Sequence, residues 1–180
     1  MFGRKSFAST TALVLILTAT AVQAAPSVTT SLTASLSSGS PGDLVVESGE
    51  ITVTQAPDGT VTMSFDIIRT ILCLSLSGAS TIERYQAINV PATLSVKNNL
   101  ASATAAANVV GGYSVTSTCP SMVPVTGDVG PVVINAVATD RTVRERTIDR
   151  VRVLTRSFDA AVTFGSWTFG VAGEIEKRIG

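Results

Sequence analysis

The chain has no histidine. That excludes Ser-His-Asp and Cys-His catalysis in their usual forms, zinc sites of the His-Glu-x-x-His kind, and the side chain that most readily moves a proton near neutral pH. Cysteine is scarce, with only Cys73 and Cys119, and if these are bonded no thiol nucleophile remains. Beyond the first residues the only lysines are Lys97 and Lys177, and neither sits in a recognisable Ser–Lys motif. No glycine-rich phosphate loop precedes a helix, and no acids follow EF-hand spacing. The residues therefore nominate no catalytic group, no metal ligand and no cofactor. Aromatics make up 5% of the chain, which is thin for the girdles of an outer-membrane barrel. Charged residues make up 14%, so the Glu/Lys-rich faces of surface helices are missing. No apolar run approaches the roughly 20 residues of a membrane-spanning helix.

What is present begins with a leader. Arg4 and Lys5 form a basic head, Ala12–Val22 is apolar, and Val22-Gln23-Ala24 is a small-residue exit. This order is that of a secretory signal peptide cleaved near Ala24/Ala25. The expectation is a secreted or periplasmic protein, with residues 1–24 removed and residues 25–180 forming one domain. Thirteen bases and thirteen acids, less Arg4 and Lys5, leave the mature part at a net charge of −2. Such a balance exerts no global pull on nucleic acid or anionic membrane. In an oxidising compartment the cysteine pair reads as a disulfide between Cys73 and Cys119. Closing a loop of about 47 residues is worth ~4 kcal/mol in the chain-entropy model.

The mature text is rich in Val, Ser, Thr and Ala, and it alternates. Val28, Thr30, Leu32, Ala34 and Leu36 form a period-2 stripe. Ile51 and Val53 lead into Ala56-Pro57-Asp58-Gly59, after which Val61, Met63, Phe65 and Ile67 resume the alternation. This predicts a hairpin with Val53 opposite Met63 and Ile51 opposite Phe65, because a one-residue slip would expose buried side chains. Ile68–Leu76 reads as a strand buried on both faces. Ala87–Lys97 alternates around Pro91, which lacks the ladder N–H and so calls for an edge or a bulge. Leu100–Val110 and Val132–Thr139 read as further strands, and Phe158–Phe164 and Ser166–Val171 as a closing pair. Glu174–Gly180 reads as a frayed end. The fold expected is all-β: a single-domain antiparallel β-sandwich, with a small β-barrel as the alternative.

Two features carry functional readings. Arg144, Arg146, Arg150, Arg152 and Arg156 are all even-numbered, so in one extended strand they would point the same way. That makes a cationic ladder for an acidic polysaccharide or lipopolysaccharide, since guanidinium forks suit carboxylate and phosphate. A solvated strand face with interleaved ion pairs is the plainer reading. The second feature is Trp167, which with Phe158, Phe164 and Phe169 reads as core, or alone as a platform for stacking on a sugar. The sequence thus points to an exported, non-enzymatic binding or structural module. One alternative is a carboxylate-dependent glycan-active enzyme, drawing on Glu47 with Glu50 or on Asp140, Glu145 and Asp149, provided two acids converge in a cleft. The other is a structural subunit that exchanges its N-terminal strand, Ala25–Leu36, with a neighbour.

Overall fold

The computed structural model describes residues 27–39, 44–73, 78–119, 123–165 and 167–180; the expected leader, residues 1–24, lies outside them. Among the described residues nine antiparallel strands follow one another: β1 Val28–Ser38, β2 Val45–Gln55, β3 Val61–Leu72, β4 Ser80–Val96, β5 Ser102–Ser117, β6 Val125–Ala138, β7 Arg144–Ile148, β8 Val151–Phe164 and β9 Trp167–Ile179. Sequential neighbours pair from β1 through β6, and β8 pairs with β9. Two further ladders, β1 with β9 and β6 with β8, close the sheet on itself. The result is an eight-stranded barrel with β7 laid along the first half of β8. The all-β reading stands, and the sandwich gives way to the barrel named as its alternative. The reason is strand length. β4 and β5 run 17 and 16 residues, long enough to coil with the sheet's own twist, and pairing of Val132–Ala138 on β6 with β8 then closes most of the edge that a sandwich would leave open.

The side chains that alternate inward fill the barrel. Leu32, Val53, Met63, Ile67, Val132, Ile134, Val162 and Ile175 are fully buried, while Thr33, Thr52, Ser64 and Asp66 between them are not. The interior is thus a packed core, as in other small barrels. The outer wall carries hydroxyls and charges that a lipid-facing wall would have to place in hydrocarbon. The β2–β3 hairpin has the predicted register, with Val53 opposite Met63 and Ile51 opposite Phe65. Ala56 and Thr60 close its turn, and Gly59 takes a φ of +88°, which glycine adopts without the Cβ penalty.

Other segments depart from expectation. Ile68 and Leu72 continue β3 with their side chains partly exposed on the outer wall, so that stretch is not buried on both faces. Pro91 lies in a central strand, within the run of β4 from Gln86 to Pro91 that has no partner on β5; the bulge, rather than an edge, accommodates the missing N–H. Glu174–Ile179 is not frayed, because it pairs with β1 on one side and β8 on the other. The first half of β6, Val125–Pro131, is strand although Gly127, Gly130 and Pro131 lie in it.

Candidate functional site

The barrel has two unlike ends. One carries the described chain termini, the β2–β3 and β4–β5 turns and the β7–β8 hairpin. The other carries the disulfide between Cys73 and Cys119, whose Cα atoms lie 6.2 Å apart. That bond ties the end of β3 to the end of β5 across the start of β4, where Thr81 Oγ1 approaches Cys119 Sγ at 3.5 Å.

At the terminus end the five sequence-nominated arginines do not form one ladder. Thr142–Arg156 is a hairpin rather than a single strand: Ile148 pairs with Val151, and Asp149 and Arg150 occupy the turn with φ of +49° and +69°. Two residues with positive φ make the tight turn that matches strand twist. Because the turn pairs even positions of β7 with odd positions of β8, parity reverses through it. Arg144 and Arg146 lie on one face, opposite Thr155 and Val153, while Arg152 and Arg156 lie on the other. Arg150 sits exposed at the tip.

Each face has its own partners. Arg144 meets Asp140 at 3.0 Å and Glu174 at 3.9 Å, and Arg146 meets Glu176 at 3.1 Å. Glu176 also takes Arg178 at 2.6 Å, and the hydrogen bond from Arg178, followed by that from Arg146, holds its carboxyl below the usual range. On the other face Arg152 forks onto Glu145, with nitrogen–oxygen distances of 2.6 and 2.9 Å. That hydrogen bonding lowers the Glu145 pKa. Arg156 is half-buried and ties two loops together. Its Nε and Nη2 donate to the Asp140 carbonyl and its Nη1 to the Asn99 carbonyl, at 2.8, 2.6 and 2.8 Å.

These groups surround a cavity of about 440 Å³ lined by Asn99, Arg141, Thr142, Val143, Glu145, Arg152, Leu154 and Arg156. Three guanidiniums face one carboxylate there. Arg141, odd-numbered and so outside the even-numbered stripe, makes no ion pair among the described residues. Only its position next to Asp140 and Thr142 in a charged, strand-breaking stretch hinted at a role.

At the disulfide end Trp167 is half-buried and packed, not a free platform. It lies 4.5 Å from Phe169 and 5.2 Å from Tyr85, centroid to centroid, and Phe164 and Tyr113 extend the cluster. The Arg69 guanidinium lies 5.3 Å from the centre of the Trp167 ring, within cation–π range. Arg69 also bridges two carboxylates, with Nε 3.2 Å from Glu47 and Nη1 3.2 Å from Glu83. The Nε contact is too poorly aligned for a hydrogen bond, which leaves that buried N–H without an acceptor among the described residues. Burial foremost, with Glu83 nearby, raises the pKa of Tyr85 well above the ordinary 10.0 of tyrosine.

This cluster was not singled out from the sequence, although its signal was there. Arg69 falls in phase with Met63, Phe65 and Ile67, and Glu83 in phase with Tyr85 and Ala87, so each is a charge on an inward stripe. Glu47 and Glu50, considered together from sequence, face opposite sides of β2: Glu47 inward to Arg69, Glu50 outward and exposed. Glu145 and Asp149 also part, one to Arg152 and the other to the turn.

Compared with protein-family models, curated proteins and solved structures, the chain finds no match, so the reading rests on its own residues.

Proposed function

We propose that the mature chain is an exported, non-enzymatic β-barrel that binds an acidic glycan or similar polyanion at the terminus end. The observation that carries this reading is the cavity that Arg141, Arg152 and Arg156 line with a single carboxylate, Glu145. Guanidinium N–H groups not committed to Glu145 or to the loop carbonyls can fork onto a carboxylate or phosphate. The exposed rim offered by Arg144, Arg146 and Arg150 adds longer-range attraction that salt weakens. The disulfide accords with an oxidising compartment, and so with the leader.

The test is retention of the disulfide-intact mature protein on immobilised heparin, followed by elution with sodium chloride. Wild type is retained and elutes earlier as salt is raised, and R141A/R152A loses retention. Retention unchanged in R141A/R152A, or no retention of wild type, overturns the proposal. The R146A/R150A variant separates rim from cavity: it weakens binding less than R141A/R152A if the cavity is the site.

A second reading draws on Glu47 and Glu83, which converge at the disulfide end as glycan-cleaving acids must. Arg69 already engages both, at 3.2 Å each, so neither carboxylate is free to approach a glycosidic bond. Release of reducing sugar from a glycan by wild type, abolished in E83Q, would establish it. Strand exchange is less favoured, since β1 is already paired on both sides, by β2 and by β9.

A further inference from the structure

On the outer wall, far along the chain from the arginine hairpin, β4 and β5 part company. Their ladder stops after Tyr85–Tyr113 and resumes at Ala92–Ala107. The gap is built from unusual backbone: Asn89, Gly111, Gly112 and Gly130 all have positive φ. Gly112 is required there, because a Cβ would collide with the Gln86 carbonyl oxygen. Facing bulges in adjacent strands re-aim side chains, and they recur beside functional sites.

The bulges border a crevice of about 500 Å³ lined by Arg84, Gln86, Ser114, Thr126 and Asp128 together with the glycines, within the size range of small-ligand sites. Gln86 also lines a neighbouring hollow of about 240 Å³ with Glu50, Ser64, Asp66 and Ile88. The Arg84–Asp66 pair, with oxygen–nitrogen distances of 2.8 and 2.6 Å, spans the two. Together they form a groove across five strands, from Glu50 on β2 to Asp128 on β6.

Its chemistry differs from that of the arginine cavity. Three carboxylates face one guanidinium, so a polyanion is repelled. Asp128 uses Oδ1 to accept the Gly111 N–H at 2.6 Å. Its Oδ2, the Gln86 amide and Arg84 Nη1 form no hydrogen bond to the described residues. The groove thus offers paired acceptors and donors to hydroxyl groups. Ile88 and Val110, 72% and 83% exposed at the two bulges, offer aliphatic surface to the C–H face of a ring. We infer that this groove binds a neutral, hydroxyl-rich oligosaccharide, independently of the arginine cavity at the barrel end.

The test is titration of the ¹⁵N-labelled, disulfide-intact mature protein with chitotriose, cellotriose and maltotriose, each to about 10 mM, a range that reveals millimolar affinity. At least one is expected to give saturable shifts in the amides of Gly111, Gly112 and Gly127 and in the Gln86 side chain. Q86A should weaken that binding about tenfold, the loss of one good polar contact. S114A/T126A, which leaves the Asp128–Gly111 bond intact, should weaken it while the rest of the spectrum stays folded. R141A/R152A should bind the sugar as wild type does. No saturable shift with any of the three, or equal binding by wild type, Q86A and S114A/T126A, overturns the inference.

Discussion

The two ends of the barrel hold their arginines in opposite ways. At the disulfide end Arg69 is enclosed: two carboxylates flank it and Trp167 lies under it. At the terminus end the arginines are spread over two faces of a hairpin, most of them half or more exposed, around an open cavity. An enclosed charge depends on its partners and stabilises only with them, whereas an exposed pair contributes little to stability and remains exchangeable. The difference separates a structural plug from a surface able to trade an internal carboxylate for an external one.

The largest expected effect lies in the disulfide. C73S/C119S should lose ~4 kcal/mol of unfolding free energy in a urea titration, the loop-closure value for this separation. A loss under about 1 kcal/mol would show that the unfolded chain is already restricted without the bridge. Next is Arg69→Ala, which strands Glu47 and Glu83 against the aromatic cluster. We expect a loss of about 3 kcal/mol, most of it recovered in R69A/E47Q/E83Q. Arg156→Ala should cost about 2 kcal/mol through three lost charge-assisted hydrogen bonds to loop carbonyls. Arg150→Ala, at the exposed turn, should stay within about 0.5 kcal/mol of wild type. If Arg150 and Arg156 proved equal, the distinction between bracing and displayed arginines would fail.

Replacing Glu145 by Gln should tighten heparin binding several-fold, because it frees Arg152 and removes the one acid from the cavity. Weaker binding would mean that Glu145 positions Arg152 rather than competing for it.

The ends should also answer oppositely to pH. Glu145 and Glu176 have lowered pKa values, so their contribution is full above the ordinary glutamate value of 4.5 and is lost as pH falls below it. Tyr85 is raised, so its contribution is full below 10.0 and is lost as pH rises beyond it. Thermal melts of wild type across pH should show both shoulders. Y85F should flatten the alkaline one, and E145Q the acid one in part.

How far the sequence could be read depended on the range of the physics involved. The β2–β3 hairpin was legible because its turn and its alternation are local and agree, down to Val53 opposite Met63. The arginine ladder was misplaced because one two-residue turn inverts parity, and Asp149-Arg150 lacks the glycine that usually announces such a turn. The end of β9 was misread because its polar text gives no hint that β1 and β8 lie on either side.

The sequence by itself determined that the described part of this chain is all-β, which positions face inward along most of its strands, and that two cysteines stand ready to be joined. Alternation and turn chemistry act over a few residues, so they are written locally. Whether the sheet stays open or closes, and which charges meet across it, only the tertiary structure decided. Closure rests on β1 finding β9 and β6 finding β8. Ladders between strands so distant in sequence are set by the twist and packing of the whole barrel, which no short window of residues contains.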